Sequence, residues 1–144
     1  MVEQRTPPEV HTLLGEGYRY IDVRTEAEFA GGHPVGAVNI PVIIADPATQ
    51  QMTINPDFVN VVEAHFPKDA KIIVGCQGGG RSQRAADLLT RAGYTTLVNM
   101  LGGFGGAVDE SGRAVVPGWR ASQLPVCADC GAENSYADLR NRTS

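Results

Sequence analysis

Apolar positions along the chain recur at two periods, one typical of helices and the other typical of strands. Helical spacing with N-cap residues ahead of it predicts four helices, over residues 6–14, 25–29, 55–66 and 82–92. The first two helices carry Thr-x-x-Glu capping boxes that begin at Thr6 and Thr25. Glycines follow the first and last of these segments, and glycine is a common helix terminator.

Strand-like runs lie between the predicted helices. They cover residues 18–24, 37–44, 71–76 and 96–100, while residues 45–54 form a polar excursion. The run at 71–76 is continuously apolar after Lys71, as is typical of a strand covered on both faces. Strands that alternate with helices predict an α/β fold, with a mostly parallel central sheet flanked by helices on both faces.

The length of 144 residues fits one domain, since domains usually contain about 100–200 residues. The alternating pattern fails from about Ala121, where a polar stretch follows that offers little to bury. We therefore predict a domain over residues 1–120 and a polar C-terminal tail over 121–144, which carries Cys127 and Cys130.

Charge and hydropathy exclude several classes of partner. The net charge is −4 and no long basic run is present, so a nucleic-acid surface is not predicted. No apolar run approaches the ~20 residues of a membrane span, and the first residues lack the apolar stretch of a signal peptide. We expect a cytoplasmic protein that contacts no membrane; an organellar protein after removal of its transit peptide is an open alternative.

Cysteine is the residue type that suggests chemistry. Three cysteines are too few for a disulfide scaffold. Cys76 ends the apolar run at 71–76, and ligands of open α/β sheets bind beyond the carboxyl ends of strands. A buried thiol at a strand end is the ordinary structural interpretation of such a cysteine. The residues that follow favour a catalytic one.

The loop after Cys76 contains three successive glycines, then Arg81 and the start of a helix. Thiolates are favoured by helix N-termini and by nearby arginines, so Cys76 is the candidate nucleophile and Arg81 its candidate catalytic partner. Glycines also allow the loop amides to point inward and hold an anion. The predicted substrate-binding residues are Gln77, Gly78, Gly79, Gly80 and Ser82.

Residues 76–82 resemble the Cys-x-x-Gly-x-Arg-Ser active-site loop of the rhodanese (thiosulfate sulfurtransferase) family. The similarity extends upstream to residues 20–29, 32–33 and 36–41, and downstream to 101–103. In order and spacing it covers roughly residues 5–119 and is closest to the single-domain type. The segment after Gly103 departs from the family pattern, as does the proline that follows His33.

The resemblance implies a rhodanese-like fold and a sulfurtransferase that needs no metal or cofactor. Its Cys76 thiolate would take the outer sulfur of thiosulfate, or of a persulfide donor, and pass it to cyanide or a thiol. A persulfide carrier or sensor that delivers sulfur to a partner protein, without turnover on small molecules, needs the same cysteine. The sequence leaves that alternative open.

Loop length separates this hypothesis from anion hydrolases and reductases of related fold, such as cysteine phosphatases and arsenate reductases. Four residues lie between Cys76 and Arg81, whereas the phosphatase signature has five and encloses a larger tetrahedral oxyanion. On a neighbouring strand, Asp22 and Arg24 are expected to support the loop as an ion pair. His33 is expected to form a structural hydrogen bond.

Cys127 and Cys130 have the spacing of one zinc knuckle, but tetrahedral zinc needs four ligands. Three interpretations stay open: a tail with two free thiols, a redox pair that resolves or protects a Cys76 persulfide, and zinc shared across a dimer.

Overall fold

The computed structural model describes residues 2–46, 48–78, 80–108, 111–128 and 135–141. The helices are α1 (Pro7–Leu14), α2 (Glu26–Ala30), α3 (Phe58–His65), α4 (Gly80–Arg91) and α5 (Tyr136–Asn141). The longer strands are β1 (Val2–Arg5), β2 (Arg19–Asp22), β7 (Lys71–Gly75) and β8 (Thr96–Met100). The shorter strands are β3 (His33–Pro34), β4 (Val38–Asn39), β5 (Ile43–Ala45), β6 (Met52–Ile54), β9 (Ala107–Val108), β10 (Ala114–Val116) and β11 (Val126–Cys127).

The central sheet has five strands in the order β1-β8-β7-β2-β4, and each neighbouring pair is parallel. Alternate residues of β7 enter two different cores. Ile72 and Val74 pack in the core on one face, and Ile73 packs in the core on the other. This confirms the prediction of a parallel sheet with strands buried on both faces.

Helices cover both faces of the sheet, as predicted. The first core contains side chains of α3, α4 and α5, represented by Phe58, Leu89 and Leu139. The second core contains Val10 of α1 and Phe29 of α2, together with Phe104 of the loop that follows β8 and Trp119 after β10.

Helix starts follow the capping signals. The backbone N–H of Thr6 donates to Oε1 of Glu9 at 2.9 Å, and the same arrangement joins Thr25 and Glu28 at 3.1 Å. α4 begins at Gly80, two residues before the predicted start.

The prediction of one strand over residues 37–44 is wrong. β4 contains only Val38 and Asn39, and β5 leaves the sheet to pair antiparallel with β6 in a separate hairpin. Pro41 lies between β4 and β5 and has no N–H to continue the ladder, which accounts for the break. The hairpin also occupies part of the predicted polar excursion at 45–54.

β1 was not predicted. It pairs parallel with β8 at the sheet edge, although it has no apolar run. Polar contacts fix it there instead: the side-chain amide of Asn99 donates to Oε1 of Gln4 at 2.8 Å, and Leu101 N–H donates to the Arg5 carbonyl at 2.8 Å.

Described parts of the 121–144 stretch pack on the domain. β11 pairs antiparallel with β3, and Tyr136 and Leu139 of α5 are buried in the first core. The side-chain amide of Asn55 donates to the Tyr136 hydroxyl at 3.0 Å. The domain division at residue 120 stays a prediction. Within the described residues, no helix combines the length and apolar character needed to cross a membrane.

Candidate active site

The carboxyl ends of β2 and β7 lie side by side and place Cys76 next to the residues that follow β2. Asp22 is in register with Gly75, and Val23 N–H donates to the Gly75 carbonyl at 3.0 Å. Cys76 is the next residue and is only 2% exposed. Its side chain is therefore almost completely shielded from solvent.

Gly75 gives the phenol of Tyr20 room beside the sheet. A Cβ at position 75 would collide with the Tyr20 hydroxyl and ring. Burial of Tyr20 and the negative charge of Asp22 both raise the pKa of this phenol well above its usual value. Tyr20 therefore stays protonated beside Cys76.

The loop after β8 packs backbone to backbone on the Cys76 loop. The N–H of Phe104 donates to the Cys76 carbonyl at 2.7 Å, and the N–H of Gly105 donates to the Gln77 carbonyl at 2.9 Å. Gly103 has φ +59°, and a Cβ there would collide with the Cys76 carbonyl. The segment that departs from the expected family pattern thus supports the Cys76 loop directly.

Arg24 is buried and contacts four segments around the site. Its guanidinium donates to Asp22 at 2.7–3.1 Å, to the Gly32 carbonyl at 2.7 Å and to Gln77 Oε1 at 3.3 Å. Its Cζ also lies 4.5 Å from the centroid of the Phe104 ring. Burial is the largest single effect and lowers the pKa of Arg24, but the hydrogen bonds to Asp22 and the nearby negative charges together raise it overall.

Arg81 pairs with Glu28 of α2. Nη1 and Nη2 donate to the two carboxylate oxygens at 2.7 and 3.0 Å, a two-point arrangement that fixes the guanidinium plane. The hydrogen bonds from Arg81 lower the pKa of Glu28 to about 2, against an opposing effect of burial. The same bonds raise the pKa of Arg81, to which the negative charge of Cys76 adds a smaller effect.

The start of α4 is fixed to the sheet by Ser82. Its side chain is fully buried and its hydroxyl donates to Oδ1 of Asn99 on β8. Asn39 of β4 acts similarly on the segment after β2, since its amide donates to the carbonyls of Asp22 and Arg24, each at 3.0 Å.

A pocket of about 510 Å³ opens beside these residues. Its walls come from the segment after β2, from α2 and the turn after it, from the Cys76 loop and from the loops near residues 104 and 120. The residues that matter most for its chemistry are Arg24, Glu28, Gly32, Gln77, Phe104 and Arg120.

Comparison with known proteins agrees with this architecture. The model of the Rhodanese-like domain family matches residues 6–110. The chain belongs to the rhodanese family.

Named relatives of this rhodanese chain include plant proteins. It is 44% identical over 107 residues to thiosulfate sulfurtransferase 16, chloroplastic, of Arabidopsis thaliana, which covers 71% of this chain and 88% of that protein. It is 37% identical over 114 residues to rhodanese-like domain-containing protein 15, chloroplastic, of the same plant, covering 79% of this chain but 55% of the relative. These names support sulfurtransferase activity in general.

A solved structure shows the same fold. The crystal structure of Rv0390 from M. tuberculosis has a TM-score of 0.72 at 30% sequence identity, and the match covers 88% of this chain and 98% of that one.

The structure brings together most of the residues predicted for the rhodanese site. Cys76, Asp22 and Arg24 meet at the strand ends, and Gln77 lines the pocket. Gly79 lies outside the described residues, so the predicted ring of inward-facing amides from Gln77 to Ser82, which includes exposed Gly78 and Gly80, stays a prediction.

Two predicted residues act through side-chain contacts that the sequence did not indicate. The hydroxyl of Ser82 is directed to the sheet, which leaves only its backbone for the predicted contact with substrate. Arg81 is directed to Glu28, so its charge is shared with a carboxylate.

The interpretations outside the loop have different outcomes. His33 forms a structural hydrogen bond, since its Nδ1 donates to the Phe29 carbonyl at 2.8 Å while the two rings stack. Cys127 lies on β11 opposite His33, but Cys130 lies outside the described residues. Cys127 is disulfide-bonded in this structure, so the free-thiol interpretation is wrong for this residue. The redox and zinc interpretations stay predictions.

Sequence reasoning missed Glu28, Phe104 and Arg120. In the sequence the capping box accounts for Glu28, and nothing there indicates its second contact, the ion pair with Arg81. A lone aromatic residue among glycines was the available signal for Phe104. Nothing near Arg120 in the sequence indicates that it returns to the pocket.

Gly103→Ala tests the backbone packing under the Cys76 loop. We expect it to lower the free energy of unfolding by about 1–3 kcal/mol for the collision with Cys76, in addition to its backbone strain. Gly36→Ala is the matched control, because Gly36 also has positive φ but a Cβ there meets no atom within 4 Å. The control should lose only about 1–2 kcal/mol in denaturant titrations. Equal losses in the two variants would contradict the packing argument.

Glu28→Gln tests the ion pair with Arg81. The folded-state pKa of Glu28, about 2, lies below the ordinary 4.5. Its stabilising contribution is therefore complete above about pH 5 and is lost as the pH falls toward 2. We expect the melting temperature of the variant to lie below that of the native protein at pH 7 and the gap to close in acid. Glu26→Gln, an exposed change on the same helix, should show no such gap; a gap independent of pH would refute the assignment.

Proposed function

We propose that this rhodanese-family protein transfers sulfane sulfur from thiosulfate, or from a persulfide donor, to cyanide or a thiol through a persulfide on Cys76. The observation that carries the proposal is the position of Cys76. It lies at the carboxyl end of a central strand, and two residues of the pocket wall, Gln77 and Phe104, are its chain neighbour and its hydrogen-bond partner.

The first half of the cycle loads the cysteine. The Cys76 thiolate attacks the outer sulfur of thiosulfate, a new S–S bond forms, and the original S–S bond breaks with its electron pair leaving on sulfite. No external oxidant or reductant is needed. The negative charge then resides on the terminal sulfur of the persulfide.

The second half returns the free enzyme. Cyanide or a thiolate attacks the terminal sulfur, and the electron pair of the cleaved S–S bond returns to Cys76 as a thiolate. Both halves involve a buried sulfur anion. α4 begins four residues after Cys76, and its N-terminal dipole favours negative charge there.

The surrounding residues hold the loop rather than react. Arg24 joins Gln77 to Asp22, and the backbone of Phe104 and Gly105 supports the carbonyls of Cys76 and Gln77. Burial of Cys76 also shields a persulfide from oxidants in solution.

Thiocyanate formation from thiosulfate and cyanide, measured beside intact mass, tests the proposal. We expect turnover and a mass increase of one sulfur atom after incubation with thiosulfate alone. Cys76→Ser should lose both, because no other thiol is placed at this pocket among the described residues. The Cys127→Ser/Cys130→Ser variant is the control and should keep the adduct.

The outcomes separate the hypotheses. Sulfur loading without turnover would identify a carrier that delivers sulfur to a partner protein. Sulfur transfer that persists in Cys76→Ser would overturn the proposed mechanism.

A further inference from the structure

The charges around the pocket cancel in pairs, with one exception. Arg24 pairs with Asp22 at 2.7 Å, and Arg81 pairs with Glu28 at 2.7 Å. Arg120 also lines the pocket, but among the described residues it forms no ion pair with a carboxylate. Among the described residues that line the pocket, Arg120 therefore carries the positive charge that no carboxylate balances.

Arg120 is held at the rim of the pocket by three contacts. Its backbone N–H donates to the Phe104 carbonyl at 3.2 Å, and its Cζ lies 5.1 Å from the centroid of the Phe104 ring. Its Nη2 lies close to Gly32, where a Cβ would come within 2.9 Å of it. The side chain is nevertheless exposed, so its remaining donors face solvent and the pocket.

The other arginine of the pocket wall cannot take this role. Arg24 is 3% exposed and already directs its nitrogens to Asp22, Gly32 and Gln77. An arriving anion would have to displace a buried ion pair to use it, at considerable cost. Arg120 needs only to exchange water for the anion.

We propose that Arg120 selects the reactants of Cys76 by charge, binding the oxygen-bearing anionic group, sulfonate or carboxylate, of small sulfur compounds. Its planar guanidinium matches the oxygens of both groups. The pocket of about 510 Å³ falls within the range of sites for small organic ligands, so it admits organic anions as well as inorganic ones. The proposal rests on the proposed function for its physiological meaning, but the charge selection itself does not require sulfur transfer.

Alkylation of Cys76 by two reagents of nearly equal size measures the selection directly. Iodoacetate carries a carboxylate and iodoacetamide is neutral, so the ratio of their rates at Cys76, followed by peptide mass, reports the charge at the pocket. We expect Arg120→Met, which removes the charge but keeps an unbranched side chain, to lower this ratio about fivefold, the effect of one partly screened charge. Added salt should lower the ratio in the native protein and leave it nearly unchanged in the variant.

Two further variants separate charge from structure. Arg120→Lys keeps the charge and should keep most of the native ratio. Arg91→Gln removes one positive charge at the far end of α4, about 17 Å from its start, and should leave the ratio unchanged. Thermal melts identify any variant that fails to fold. If Arg120→Met fails to fold, the salt dependence of the alkylation ratio in the native protein and the ratio in Arg120→Lys test the proposal instead.

Steady-state kinetics then connect the selection to sulfur transfer. Arg120→Met should raise the KM for thiosulfate by about the same factor and change kcat little, because the contact is made with bound substrate as well as in the transition state. An unchanged alkylation ratio in Arg120→Met would overturn the proposal whatever the kinetics show. A lowered ratio without any thiosulfate turnover would uphold charge selection and refute only the proposed function.

Discussion

The buried guanidinium of Arg24 is the interaction on which the rest of the site depends. A charge with 3% exposure is tolerated only when its donors are satisfied, and Arg24 satisfies them on segments that are far apart in the chain. It joins the end of β2 through Asp22, the turn after α2 through Gly32, and the cysteine loop through Gln77. The hydrogen bonds of Arg24 thus hold together three segments that surround the pocket.

Glycine is the second requirement, because backbone hydrogen bonds from the loop after β8 also support the cysteine loop. A Cβ at position 103 would collide with the backbone of Cys76 and Gln77, and a Cβ at position 105 would collide with the side-chain amide of Gln77. Hydrogen bonds between two backbones fix the loop without filling the space around the sulfur. A small reactive site thus forms in a dense part of the fold.

The sequence was sufficient for those features that depend on local patterns. Alternating periodicity predicted the parallel sheet and four of the helices, and the resemblance of residues 76–82 to the rhodanese active-site loop predicted the family. It was insufficient where long-range polar contacts decide, as at β1, which has no apolar run, or at Glu28, whose partner lies 53 residues away. The apolar run at 37–44 favours one continuous strand, but Pro41 has no N–H to donate and the strand ends before it.

The chain beyond the family match completes the pocket. The match ends at residue 110, yet Trp119 is buried in the second core and its N–H donates to the Gly103 carbonyl at 2.9 Å. Further along the chain, β11 pairs antiparallel with β3. A domain trimmed to residues 6–110 would keep Cys76. It would lose the segment that contains Trp119, which donates to the loop after β8, and Arg120. The structural unit that forms this pocket therefore extends beyond the matched span, at least to Arg120.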